Sequence, residues 1–215
     1  MNLRNTLIIG LVLIAWTAVA QEKREPPILL ELILGNNRYG MQTIINRSLP
    51  KSEKLSFFSV TALDTNYEND VGAIDIINTS QVAYELYKGI GITGGLNANK
   101  VTGLSPTLGI RYVYASPKLV MVFTPDYIFT SDRNIAVFSL IEYHPELKED
   151  LRLYSRVQGL YNHNLNSDAH QRSYLQLRLG IGIKDYNFGF ATNLDYFGPE
   201  KIFAENFGIF IRTSL

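Results

Sequence analysis

The sequence predicts an all-β fold, an antiparallel up-and-down β-barrel of about twelve strands that follows a cleavable export signal. Two observations lead to this prediction. Apolar residues recur with a period of two along almost the whole chain, as in strands, and the only long apolar run stands at the N-terminus. The composition agrees, because 46% hydrophobic, 12% aromatic and only 19% charged residues in 215 argue for a folded chain rather than a disordered one.

The first twenty residues have the features of a signal peptide. Arg4 supplies a positive charge, Thr6–Trp16 is apolar, and Ala18-Val19-Ala20 provides a small-x-small cleavage site. A transmembrane helix needs about 20 apolar residues, more than this run contains. We therefore expect cleavage after Ala20, a short polar segment over 21–27 and a single barrel domain over 28–215.

The alternation is clearest in the last third of the chain. Leu175, Leu177, Leu179, Ile181 and Ile183 alternate there with Tyr174, Gln176, Arg178, Gly180 and Gly182. It is ambiguous near the N-terminus, and merging a weak hairpin there would leave ten strands. The twelve predicted strands are 28–35, 40–48, 54–63, 73–87, 90–99, 105–115, 118–128, 133–144, 150–162, 171–183, 186–196 and 204–215.

The predicted connections are of two kinds. Compact turns such as Lys88-Gly89, the Pro145–Asp150 turn and Lys184-Asp185 alternate with a set that includes longer polar stretches at Asp64–Asp70, Asn162–His170 and Gly198–Glu205. An even strand count puts the compact turns and both termini on one side and the longer loops on the other. That is the plan of a bacterial outer-membrane barrel.

A soluble lipocalin-type barrel alternates as well, with its apolar face turned inward. The membrane form is favoured because strands of about ten residues span roughly 25 Å, the height of an outer-membrane apolar band. Tyrosines near strand ends suit an interfacial girdle: Tyr84, Tyr112, Tyr114, Tyr143, Tyr161 and Tyr196. Mixed charges on the polar face suit a wet lumen, and they are the candidate pore-lining residues: Arg111, Arg152, Arg156, Arg178, Arg212, Glu85, Glu142 and Asp195.

The final segment, Phe207–Leu215, together with the signal and the end-to-end strands, resembles the Gram-negative outer-membrane β-barrel proteins, in a porin-like form. Asn- and Tyr-rich loops resemble those of the Bacteroidota. The resemblance implies an outer-membrane location, lipid contact and recognition of the last strand by the barrel-assembly machinery. Phe207, Ile209 and Ile211 match the usual terminal signal, whereas Thr213 and Leu215 stand where that class commonly has aromatic residues.

The residues give little support for nucleic-acid binding, for a cysteine-based site, for a metal site or for a hydrolase. Twenty basic and twenty acidic residues give no excess charge for nucleic acid, and the chain has no cysteine. Asp168 and His170, with an acidic pair Glu68/Asp70, loosely resemble an omptin-type hydrolase, but a polar loop is the favoured interpretation. A metal site using His163 and a phospholipase site at His144 are also disfavoured. We expect no enzyme activity and no cofactor.

The predicted function is a small porin-like channel through which small polar solutes diffuse. The alternative is a non-conducting barrel that acts as an adhesion, scaffold or docking protein through its outer loops, and a surface hydrolase ranks third. The inward arginines would favour anionic solutes if the lumen is open, or would pair with the acids if it is filled. Strand count does not separate these outcomes, because ten or twelve strands lie between filled eight-stranded barrels and wide sixteen-stranded ones.

Overall fold

A computed structural model describes residues 28–50, 52–68 and 73–215, so the predicted signal peptide and the segment 21–27 lie outside the described residues. The described residues, in which apolar side chains recur with a period of two, form thirteen strands. They are β1 (Leu29–Gly35), β2 (Arg38–Ser48), β3 (Leu55–Asn66), β4 (Asp75–Tyr87), β5 (Ile90–Asn99), β6 (Gly103–Ala115), β7 (Leu119–Ile128), β8 (Asn134–Tyr143), β9 (Glu146–Lys148), β10 (Leu151–Asn164), β11 (Ala169–Ile183), β12 (Tyr186–Phe197) and β13 (Ile202–Ser214).

Twelve of these strands close into a cylinder. Each pairs antiparallel with its neighbour in the chain, β10 pairs with both β8 and β11, and β1 pairs with β13 to shut the sheet. At this seam Gly35 lies opposite Gly208, and a Cβ at Gly208 would collide with the backbone carbonyl of Leu34. Glycine therefore permits the close approach that closure requires.

The structure confirms the all-β prediction and the count of twelve barrel strands. The thirteenth, β9, lies within the predicted Pro145–Asp150 turn and pairs only with the beginning of β10. It continues the line of β8 where β8 has already ended, since β8 pairs with β10 only from Ser155 onward.

The longer connections were predicted too long. β3 continues to Asn66, and β10 and β11 extend until Asn164 pairs with Ala169, which leaves a turn of residues 165–168. β13 begins at Ile202, so only 198–201 join it to β12. The polar residues that suggested loops continue the strands, because polar side chains are accepted at the rim and on the inner face of a barrel.

The outer face is apolar and the inner face is polar. Leu175, Leu177 and Leu179 are exposed outward on β11, whereas the alternate residues Gln176 and Arg178 are buried inside. All six predicted girdle tyrosines are exposed and lie near strand ends. In hydrocarbon every backbone group must be paired, so a closed barrel with this apolar exterior is a transmembrane barrel. The described residues contain no helix long and apolar enough to cross a membrane.

We call the end where β1 begins and β13 ends the terminal end, and the opposite end, where Asn36 and Asn37 join β1 to β2, the far end. Apolar side chains also enter the lumen in two clusters. One contains Ile44, Phe58, Val60, Val122 and Leu140, and the other contains Ile33, Tyr154, Ala191 and Phe210. The candidate functional site lies between and around these two clusters.

Candidate functional site: the barrel lumen

One side of the lumen holds a buried charge network centred on Glu31 of β1. Its Oε1 accepts hydrogen bonds from Arg156 Nη2 at 2.6 Å and from Arg178 Nε at 2.9 Å. The three side chains are at most 2% exposed. Arg178 Nη1 also donates to Asn193 Oδ1 at 2.9 Å. One carboxylate therefore holds two guanidinium groups from β10 and β11.

A second group continues this network towards the terminal end. Arg212 of β13 donates to both carboxylate oxygens of Glu142 on β8, and its guanidinium carbon lies 5.1 Å from the ring centroid of Tyr154. The Tyr154 hydroxyl donates to Glu142 Oε1 at 3.2 Å. This ion pair joins strands separated by β10, β11 and β12, so it crosses the lumen rather than following the wall.

Near the far end an ion-pair chain crosses the whole barrel. Arg172 of β11 donates to Asp75 of β4 at 2.5 Å and lies 3.4 Å from Asp195, which also pairs with Arg38 at 2.7 Å. Five strands separate β4 from β11 in either direction around the cylinder, so these two strands face each other. The chain therefore narrows the far mouth.

At mid-height an aromatic contact divides the other side of the lumen. The ring centroids of Phe58 on β3 and Phe138 on β8 are 6.2 Å apart, and we call this pair the septum. Phe58 is 4% exposed, and the Arg111 guanidinium lies 5.8 Å from its ring while donating to Ser56 Oγ at 2.5 Å. Aromatic and cation–π contacts of this kind hold a ring in a defined position.

Two cavities lie on either side of the septum. The far cavity, of about 390 Å³, extends from Phe58 to the far-end turns at Thr102 and Pro199. The terminal cavity, of about 920 Å³, extends from Phe58 to the terminal-end turns at Pro117 and Lys184. Phe58 lines both, so the two cavities are arranged end to end with its ring between them.

The predicted polar-face residues fall into three groups. Arg111, Arg156, Arg178 and Asp195 are buried inside the barrel but line neither cavity, because they are held beside the septum, in the charge network or in the far-end ion-pair chain. Three line the terminal cavity: Arg152, Arg212 and Glu142.

Arg152 is half-buried there and donates to the backbone carbonyl of Lys184 at 2.6 Å. Glu85 is different, since it is exposed at the terminal rim where the register of β4 and β5 shifts.

Sequence reasoning missed Glu31, Arg172 and Asp75 as lumen residues. Glu31 lies in an apolar run, Leu29–Leu34, whose alternation was ambiguous. The signal was present, because a lone carboxylate in a membrane-spanning strand must face inward. Arg172 and Asp75 stand near strand ends, where sequence pattern does not separate a lumen residue from a rim residue.

The hydrolase candidate is not assembled. Asp168 lies in a turn with φ of 50°, is 97% exposed and contacts His163 Nε2 at 3.0 Å rather than His170. His170 Nδ1 lies 2.7 Å from the Gly198 carbonyl and Nε2 lies 2.9 Å from Ser173 Oγ, so both ring nitrogens are engaged. Asp70 of the proposed acidic pair lies outside the described residues, and no cluster of three metal-ligating side chains occurs among the described ones.

His144 lies in the terminal-end turn after β8 and lines the terminal cavity. Burial lowers the pKa of its imidazole below the ordinary value, while the Glu142 carboxylate acts in the opposite direction. A neutral imidazole therefore stands at this mouth.

No family model matches this chain, and no curated relative matches it either. The barrel is similar to solved porins. The NanC porin aligns with a TM-score of 0.50 at 12% identity, over 88% of this chain and 99% of that one. The KdgM porin aligns with a TM-score of 0.47 at 10% identity, over 87% and 98%. At such identity the likeness to the NanC porin shows the fold, so this chain has the fold of an outer-membrane porin.

Proposed function

We propose that this protein is a narrow porin-like channel of the outer membrane that passes small polar solutes by diffusion. The observation that carries the proposal is the pair of cavities that lie end to end inside a closed barrel, with the septum between them. Barrels of about eight strands are filled by side chains and those of sixteen or more are open. Twelve strands allow a lumen that is partly filled and opens when one ring moves.

The charges of the terminal cavity favour anionic solutes. Its lining has five basic side chains (Lys118, Lys148, Arg152, Lys184 and Arg212) against three acidic ones (Glu142, Glu146 and Asp150). An excess of Lys and Arg in a narrow pore attracts anions and repels cations. The charge network of Glu31, Arg156 and Arg178 fills the side of the lumen opposite the septum. It therefore limits the width that is left for a solute to pass.

The short far-end connections disfavour the adhesion and docking alternative. Apart from 67–74, whose residues 69–72 are not described, they contain two to five residues each. Such turns offer little surface for a partner. The separated Asp168 and His170 disfavour the hydrolase, so we propose a protein that is not an enzyme.

The same proposal includes export and assembly. The signal would be cleaved after Ala20, and β13, whose Phe207, Ile209 and Ile211 are exposed outward, would be the strand that the assembly machinery recognises. The apolar outer face would then contact lipid, with the terminal end towards the periplasm as is usual for such barrels.

Single-channel recording in planar bilayers tests the proposal, with a heat-modifiable gel shift to show that the barrel is folded. We expect discrete conductance steps and a reversal potential that indicates anion preference. Arg152→Glu should shift that potential towards cations. Lys88→Glu is the matched control, because Lys88 lies in the β4–β5 turn and lines neither cavity. A folded barrel that never conducts would refute the channel.

A further inference from the structure

Several side-chain oxygen atoms around the far cavity have no hydrogen-bond partner in the described protein. Five side-chain oxygens from lining residues are buried and have no hydrogen-bond partner among the described residues: Gln81 Oε1, Thr124 Oγ1, Asn134 Oδ1, Asn162 Oδ1 and Gln176 Oε1. Gln81, Thr124, Asn134 and Gln176 are at most 5% exposed. Buried polar groups are normally paired with protein or with water, so these oxygens can accept hydrogen bonds from water or from a solute that enters the cavity.

The orientation of one amide is set by its neighbours. Gln81 Nε2 donates to Asp126 Oδ1 at 2.8 Å and to Thr107 Oγ1 at 3.3 Å. A carboxylate only accepts, so the amino group must face Asp126 and the free atom of Gln81 is an acceptor. Its natural partner is a hydroxyl or an N–H group.

The five oxygens come from β4 and from four consecutive strands, β7, β8, β10 and β11, so they face the cavity from more than one side of the barrel. A compact cation reaches only a few of them at one time. A ring that carries hydroxyl groups around its edge can donate to several at once and can also accept from the surrounding donors.

The charge of the cavity disfavours an anion. Its lining has the acids Asp64, Asp75 and Asp126 against the bases Lys100 and Arg172. Arg172 is already paired with Asp75 at 2.5 Å. This differs from the terminal cavity, where basic side chains are in excess, so the two cavities suit different solutes.

Aromatic side chains complete the lining. Phe138 and Tyr174 contribute ring surface at the inner part of the cavity, and Phe197 lies towards the far-end turn. Ligand pockets of about 300–1,000 Å³ typically combine apolar walls with a few placed polar groups, and this cavity of about 390 Å³ belongs to that class. Its rings can contact the C–H faces of a sugar while the oxygens bind the hydroxyls.

We propose that the far cavity is a binding site for a neutral polyhydroxylated solute of monosaccharide size. The site holds its ligand through Gln81, Gln176 and Asn134 and rests it on the Phe138 ring. This inference goes beyond conduction, because binding from the far mouth requires no movement of the septum.

Saturation-transfer NMR on the detergent-folded protein tests this site, with D-glucose as the probe and glucuronate and choline as charged comparisons. This method detects weak binding at equilibrium and does not depend on conduction. Absence of conductance would therefore not refute the binding site, and absence of binding would not refute the channel. We expect saturable glucose signals and weaker signals from both charged probes.

Gln176→Leu is the informative variant, because its free oxygen bonds nothing in the described protein and folding should be retained. Loss of a buried hydrogen-bond acceptor should weaken glucose binding about tenfold. Gln42→Leu is the matched control, since both of its amide atoms are also unpaired but it lines neither cavity. Absence of saturable glucose binding, tighter binding of glucuronate or choline, or unchanged binding by folded Gln176→Leu would overturn the site.

Discussion

The septum makes Phe58→Ala the sharpest test of how the lumen is divided. The ring is 4% exposed, meets Phe138 at 6.2 Å and Arg111 at 5.8 Å, and lines both cavities. Its removal joins the two cavities into one passage. We therefore expect a larger single-channel conductance than that of the native protein.

The stability cost of this change follows from the same contacts. Truncating a buried Phe to Ala costs about 3–5 kcal/mol in a close-packed core. The Phe58 ring borders a cavity on two sides and so has fewer contacts to lose, which places the expected cost near the lower value, about 3 kcal/mol. Urea-induced unfolding in lipid vesicles would measure it.

Phe210→Ala provides the matched control. Phe210 is also buried, at 3% exposure, and its ring lies 5.5 Å from Tyr154, but it lines neither cavity. Because it borders neither cavity, it should lose at least as much stability, without a gain in conductance. Equal conductance of folded Phe58→Ala and native protein would refute the division of the lumen by Phe58, as would an equal gain in Phe210→Ala.

Three further predictions concern stability. Glu31→Gln leaves two buried guanidinium groups without their carboxylate and should lower the free energy of unfolding by about 3–5 kcal/mol. Adding Arg178→Met should recover part of this loss in a double-mutant cycle. Additive losses would contradict the pairing of Arg178 with Glu31. Leu177→Arg places a charge on the lipid face and should cost about 2–4 kcal/mol in vesicle unfolding, whereas no cost would contradict the outward placement. Because the pKa of His144 is lowered by burial, the unfolded chain binds this proton more readily, so the free energy of unfolding should fall as pH drops below about 6.5. His144→Gln should remove that component, and an unchanged pH profile would contradict it.

Much of the barrel could be predicted because successive side chains of a strand point to opposite faces of the sheet, so the pattern repeats every two residues. Alternation determines which side chains face lipid, and the inward face of β11, with Gln176 and Arg178, was predicted correctly. Prediction was weaker at strand ends. Polar residues occur both in turns and at strand positions that face a wet lumen, and the sequence pattern does not distinguish the two. This is why β10 and β11 extend further than expected, with Asn164 paired to Ala169.

The candidate sites show a similar division. Arg156 and Glu142 were expected on the inner face and lie there. Pairing of an inward arginine with Glu142 was one of the two expected outcomes, and Arg212 makes that pair, whereas Glu31, the partner of Arg156, was not expected. The proximity of Asp168 and His170 in sequence offered a catalytic pair that was disfavoured against a polar loop. The turn geometry separates the two residues, because Asp168, with φ of 50°, lies in the turn before β11 begins.

By itself the sequence determined the class of fold, the strand number to within one hairpin and the inward or outward direction of most side chains, because these depend on local periodicity and turn residues. Only the tertiary structure decided which side chains meet across the lumen. Arg172 pairs with Asp75 across 97 residues, and Arg156 reaches Glu31 across 125. Such meetings depend on strand count, register and closure together, and so on the width and stagger of the whole cylinder. The septum and the two cavities arise from the same closure.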